Sequence, residues 1–372
     1  MTKIGLANLL QELEASSPTF TIRQDPALAP EDSLPPAQQF ASAAALRFSA
    51  TRLVRTVCAL SVILVLWGCN SSGVESPKPS TTVKVAPPKS PNQLPDEDTP
   101  APEKTGGFDG KRAYADVAKQ VDFGPHAAGS QAIAQVQDYI LSELSSAGCT
   151  ADTDAFNSQT PAGEVAMKNI LVKIPGERPG IIMLATHYDT KRIDNFVGAD
   201  DGGSSTAVML ELARSLCALH GRYNVWIAFF DGEEAVNPEW HDPDNRYGSR
   251  QMAAKLAISG DIAKIRAFLL ADIVGTRTLI LKRDANSDKA LTDLVWATAA
   301  RLGYSGVFVN DTTAIEDDHQ SFSARKVPTV DVIDLQIPYW HTPQDTLDKI
   351  SSKSLAVVGR VFLESVKQLQ TK

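Results

Sequence analysis

The chain has few cysteines, no excess of positive charge, an apolar run too short to cross a membrane comfortably, and no internal repeat. Lys and Arg total 36 against 44 Asp and Glu, a formal charge of −8. That balance gives no support for nucleic-acid binding, and much of the acid excess reads as solvated surface. The run Val57 to Trp67 falls short of the roughly 20 residues a helical span needs. A length of 372 residues allows one large domain or two small ones, and 43% apolar residues support a sizeable core. Of the four cysteines, Cys58 and Cys69 lie near that apolar run. Only Cys149 and Cys217 fall in the part expected to fold. They either pair in an oxidising compartment or stay as buried thiols, and their spacing does not decide between the two.

What is present near the start is a targeting layout. Arg52 and Arg55 precede the apolar run and Gly68-Cys69 follow it, as in a signal segment spanning 51–69. Leu66-Trp67-Gly68-Cys69 resembles a bacterial lipobox, which implies lipid on Cys69 after cleavage; an uncleaved anchor is the other reading. Either implies an exported, membrane-anchored bacterial protein facing the periplasm or the cell exterior. Residues 1–50 stand ahead of that signal and are expected to lack a fold, as an early-assigned start or a cytoplasmic tail. Residues 70–106 hold eight of the 22 prolines among Ser, Thr, Lys and Glu, a composition expected to form an extended tether. Residues 107–372 are expected to be the catalytic domain.

Within that domain, apolar strands alternate with amphipathic helices. Helical patterns fall near 109–122, 130–147, 204–219, 288–302 and 352–370, with a short helix from Ser249. Strand patterns fall near 168–175, 180–187, 223–230, 266–271 and 328–333, with a further candidate at 278–282. Such alternation predicts an α/β fold, a single three-layer α/β/α domain with a mostly parallel mixed sheet. Acids and histidines collect where these strands end, the edge at which open α/β sheets bind ligands. The strand ending in Phe229-Phe230 runs into Asp231-Gly232-Glu233-Glu234-Ala235. His187-Tyr188-Asp189 follows Ile181–Ala185, Asp272 ends Leu269-Leu270-Ala271, and Trp340-His341 follows Val330-Asp331-Val332-Ile333. The Gly-rich run Gly198-Ala199-Asp200-Asp201-Gly202-Gly203 adds a further acid at a helix entrance. Glu-Glu alone is an ordinary solvated turn, and Asp beside Gly is ordinary turn chemistry. The ordered set His, Asp, Glu-Glu, Asp, His instead suits zinc, which takes nitrogen and oxygen ligands and leaves a position for substrate.

That order resembles the zinc aminopeptidases. The detail resembles a narrower group within that superfamily, the animal-type glutaminyl cyclases. The likeness covers most of 107–372. It runs from Asp154–Pro161 through Phe229–Ala235, Trp240 and Tyr247-Gly248-Ser249-Arg250, to Glu316-Asp317-Asp318-His319 and Trp340-His341-Thr342. The resemblance implies that Asp201, Glu234 and His341 hold one zinc and that Glu233 is the general acid/base. It also implies that Asp272 and Asp317 form a carboxylate network and that Trp240 and Trp340 wall the substrate pocket. Two departures stand out. Thr186 and Thr206 sit where the animal enzymes carry a disulfide, and Asp331 sits where they carry a histidine near the active site.

The activity implied is conversion of N-terminal Gln of peptides or proteins to pyroglutamate with release of ammonia. The rival is a two-zinc aminopeptidase in which His187 and Asp272 bind a second ion and Asp201 bridges. A non-catalytic binding module of the same fold is a third reading. Among single residues, Asp200 is expected to be a turn residue behind Asp201, and Asp189 to orient His187 or a neighbouring loop. Asp318 and His319 are expected to be structural neighbours of Asp317. His126, His220 and His241 are expected at the surface.

Overall fold

Strands rich in β-branched and aromatic residues set the centre of the molecule. The computed structural model describes residues 95–371. Helices α1 (Gly110–Asp122) and α2 (Gln131–Ser146) come first; the side chains of Asp109 and Ser130 cap their free backbone N–H groups. Strands β1 (Ala151–Thr160), β2 (Gly163–Ile174) and β3 (Gly176–His187) follow. Then come α3 (Gly203–Leu216), β4 (Gly221–Phe230), α4 (Tyr247–Ser259), β5 (Ile265–Asp272) and β6 (Leu281–Asp284). Last are α5 (Lys289–Arg301), β7 (Phe308–Thr313), the short α6 (His319–Ser323), β8 (Thr329–Ile333) and α7 (Ser352–Thr371).

Six strands form the main sheet in the order β1-β2-β4-β3-β5-β8. The β4-β3, β3-β5 and β5-β8 pairs are parallel, while β1-β2 and β2-β4 are antiparallel. Strands β6 and β7 pair separately. Period-two alternation splits the core. Ile182, Leu184, Val225, Ile227 and Phe229 face the cluster shared with α1, α2, α3, α5 and α7. Ile181, Met183, Trp226, Ala228 and Phe230 face Met252, Ala253 and Leu256 of α4 and Phe322 of α6. Both faces are covered, so the parallel strands read as continuous apolar runs.

The expected α/β/α domain is therefore present, with local differences. Strands β1 and β7 were not anticipated from the sequence, because at the sheet margins their polar residues face water. The candidate strand at 278–282 lies instead at Leu281–Asp284. The expected tether ends earlier than 106, because residues 95–106 pack on the domain. Asp96 is held by Arg277 at 2.6 Å and Ser351 at 2.5 Å, and Thr105 is buried. These partners come from distant parts of the chain and supply what local composition lacks. The segments 1–50 and 51–69 with Cys69, and most of 70–106, lie outside the described residues. Cys149 and Cys217 form a disulfide, with Cα atoms 5.4 Å apart, joining the exit of α2 to the end of α3.

Candidate metal centre and active site

Each proposed functional side chain leaves the sheet at the carboxyl end of a parallel strand or the loop beyond it. His187 ends β3, Glu233 and Glu234 follow β4, Asp272 ends β5, and His341 follows β8. Asp201 lies in the turn entering α3. Gly202 has φ +79° there, and a Cβ would come within 3.0 Å of both the Asp189 carbonyl oxygen and the His187 ring. Glycine is required at that close approach.

Two carboxylates hold the loops. Asp189 accepts the backbone N–H of Glu233 (3.0 Å) and of Glu234 (3.3 Å), so it orients the neighbouring loop as expected. Asp345 accepts the N–H of Asp200 (2.8 Å) and Asp201 (3.0 Å). Asp200 is a structural residue, bonded to Gly275 N (2.7 Å) and the Tyr339 hydroxyl (2.9 Å).

On this frame Asp201, Glu234 and His341 meet. His341 Nε2 lies 3.4 Å from Asp201 Oδ2 and 3.2 Å from Glu234 Oε1. A tetrahedral shell with donors about 2.0–2.1 Å from its centre has edges of about 3.3–3.4 Å. Asp201 Oδ2 and both Glu234 oxygens are buried without a hydrogen-bond partner, a costly state that a shared cation relieves. The donor set fits a divalent metal.

The electrostatics agree. Burial works to raise Asp201, but His187 and His341 outweigh it and hold the carboxyl well below its usual range. Glu234 goes the other way, raised by burial and by the Asp201 charge, with only His341 as close imidazole partner. His341 is pushed up to about 10, because Asp201 and Glu234 together overcome its burial. Opposite shifts on two carboxyls flanking one imidazole follow from Asp201 having two imidazoles and Glu234 one.

Beside this trio sits a second set. His187 Nε2 is 3.0 Å from Asp272 Oδ1 and 3.4 Å from Asp201 Oδ1, the Asp201 oxygen opposite the one facing His341. Glu233 Oε2 lies 3.9 Å from His187 Nδ1. Burial, with Asp317 adding like charge, pushes Glu233 well up. Asp317 is itself raised by burial and then by Asp272. Trp340 stacks on His341 with centroids 4.0 Å apart and is 41% exposed. Trp240 is partly buried in the loop after β4.

A third group of possible metal donors among the described residues is Asp284, His319 and Asp331. Its imidazole lies between the two acids, with Nε2 3.3 Å from Asp284 and Nδ1 3.6 Å from Asp331. Asp318 and His319 are buried beside Asp317, as expected of structural neighbours. His220 and His241 are exposed. His126 is not a surface residue: it is 1% exposed, with Nδ1 2.7 Å from the Gly124 carbonyl, because a loop covers it that no local pattern announces. Two contributors were missed from sequence. Asp345 follows an unremarkable Pro-Gln, and Lys191, buried with Nζ 3.5 Å from Glu234 Oε2, follows His187-Tyr188-Asp189-Thr190 closely enough that proximity to the motif was the available signal.

Sheet order, strand-end ligands and paired glutamates define an α/β/α metalloenzyme of the zinc aminopeptidase-like class. Residues 169–366 match the model of Peptidase family M28, and the chain belongs to that family. It is 30% identical over 281 residues to the glutaminyl-peptide cyclotransferase of Bothrops jararaca, covering 64% of this chain and 76% of the relative. Among solved structures it is similar to a glutaminyl cyclase from an Acidobacteriales bacterium (39% identity, 76% of this chain, 99% of the other, TM-score 0.67). It is also similar to a Zn-dependent exopeptidase from Parabacteroides distasonis (27% identity, 69% and 97% covered, TM-score 0.64).

Proposed function

We propose that the chain is a zinc-dependent glutaminyl-peptide cyclotransferase, converting N-terminal Gln of peptides or proteins to pyroglutamate and ammonia. Asp201, Glu234 and His341 would hold the zinc, which supplies Lewis-acid polarisation of the γ-amide carbonyl. Glu233 takes a proton from the substrate's α-amine as the amine nitrogen bonds to the carbonyl carbon (Cδ) of the side-chain amide, then returns one to the amide nitrogen, whose bond to that carbon breaks to release ammonia. Burial and the like charge of Asp317 raise its proton affinity. Ring closure is intramolecular, so little translational entropy is lost. Asp272 and Asp317 back the reacting group, while Trp240 and Trp340 wall the pocket.

The observation that carries the one-metal form is the His187–Asp272 contact. At 3.0 Å His187 and Asp272 satisfy each other by a hydrogen bond, whereas Asp201 Oδ2 and both Glu234 oxygens are buried without a hydrogen-bond partner. The rival two-zinc aminopeptidase is favoured by Asp201, whose two oxygens face His187 and His341 separately. Zinc analysis of the purified protein, with parallel assays on a Gln-initiated peptide and an aminoacyl chromogenic substrate, separates the two. Cyclisation with one zinc is expected; hydrolysis with two tightly held zincs reverses the assignment. Glu233→Gln should lower cyclisation by about 10²–10⁴-fold with zinc retained. Loss of metal instead would mean that the two glutamates have exchanged roles.

We also place the enzyme outside the cytoplasm, anchored through Cys69. The Cys149–Cys217 disulfide supports an oxidising compartment.

A further inference from the structure

Arg246 is 6% exposed, and burying a guanidinium is expensive unless its donors are used. Here they are used across two loops. Nη1 donates to Gln320 Oε1 at 2.7 Å and to the Asp317 backbone carbonyl at 3.4 Å. Nη2 donates to Asp242 Oδ1 at 2.6 Å, and Nε to Asn245 Oδ1 at 3.1 Å. Gln320 is tied to the same turn, since its own N–H donates to the Asp317 carbonyl at 2.9 Å. The backbone of Arg246 reaches the other way, its N–H donating to the Glu233 carbonyl at 2.7 Å. To do both it takes a left-handed conformation, φ 49° and ψ 33°, ahead of α4. A side chain with a Cβ rarely adopts that region and keeps it only where its surroundings over-determine it.

We propose that Arg246 is a positioning residue for the cyclisation assigned above: it ties the loop carrying Glu233 to the loop carrying Asp317 and fixes the spacing of their two carboxyls. The inference rests on that assignment, since only a reaction using Glu233 needs the spacing. Arg246 does not touch the metal donors. Its loss should leave the ligand shell intact while the acid/base drifts from the near-attack position, where a displacement of about 1 Å can cost on the order of 10²-fold in rate.

The test uses the full chain loaded with zinc. Arg246→Met keeps an unbranched apolar stem and removes every side-chain donor; it should lower kcat on a Gln-initiated peptide by about 10–100-fold with KM within about threefold. The cobalt-substituted protein should keep the wild-type absorption spectrum. Arg246→Lys, with one donor head, should recover part of the loss. Wild-type kcat in Arg246→Met overturns the proposal, and so does a lost kcat accompanied by an altered cobalt spectrum, which would make Arg246 a general support of the fold. If Arg246→Met does not fold, Gln320→Leu decides: a lowered kcat with unchanged KM supports the clamp, and an unchanged kcat overturns it. A wild-type protein that fails to cyclise the peptide sinks the functional assignment itself, whatever the variants do.

Discussion

Asp231, two positions before Glu233, is a carboxyl that the fold drives toward its neutral form. Its Oδ2 accepts the Lys168 N–H at 2.8 Å and the Gln137 side chain at 3.2 Å, yet Oδ1 is buried without a partner. Burial first, then the Asp189 charge, pushes its pKa up to about 8. An acid whose folded pKa exceeds its unfolded value of about 3.9 binds more protons folded than unfolded across that interval. Its contribution to stability therefore declines as pH rises from about 4 to about 8. Asp231→Asn removes the titration. The variant's unfolding free energy in urea should fall less steeply between about pH 5 and 8 than the wild type's, by on the order of 1–3 kcal/mol. Identical slopes in the two proteins would show that Asp231 is ionised throughout. The same chemistry separates legible residues from hidden ones. Glu233, Glu234 and His341 stand out because their types are costly to bury and they follow apolar strands. Arg246 does not stand out, because its left-handed backbone and its bond to Gln320 exist only once two loops meet.

At the scale of elements, the proposed metal donors are carried by loops, and two acids, Asp189 and Asp345, accept the backbone N–H groups of those loops. Asp345 bridges the amides of Asp200 and Asp201 across 145 and 144 positions of sequence, so it holds the entrance of α3 from the chain's last loop. Asp345→Ala leaves two buried N–H groups unpaired. Outer partners of metal ligands typically contribute 10–100-fold to affinity. Competition with a chromogenic chelator should show zinc held about 10–100-fold more weakly, with far-ultraviolet circular dichroism unchanged. Wild-type zinc affinity would mean the turn is rigid without Asp345. Elements with strong periodicity were legible almost to the residue: α1, α2, α5 and α7 fall within about two residues of their expected ends. Strands β1 and β7 were not, since a marginal strand with polar faces has no apolar alternation to announce it.

At the scale of the whole molecule, the disulfide closes a long loop. Cys149 and Cys217 are separated by 68 positions, and a cross-link of that span stabilises by about 4 kcal/mol in the chain-entropy account. Replacing both with serine should lower the unfolding free energy by about 2–5 kcal/mol while cyclisation at room temperature is kept, because the bridge joins α2 to α3 away from the metal donors. Equal denaturant midpoints for the two proteins would show that the bond is not formed in solution. Sequence alone settled what depends on neighbours along the chain. Side-chain alternation is covalent, so the apolar strands and the acids and histidines at their ends could be read directly, and with them the α/β/α architecture and the candidate metal donors. Tertiary structure alone decided which of those side chains come together, that Cys149 meets Cys217, that residues 95–106 pack on the domain, and that His126 is buried. Each of these turns on distances between residues far apart in sequence, and only packing sets such distances.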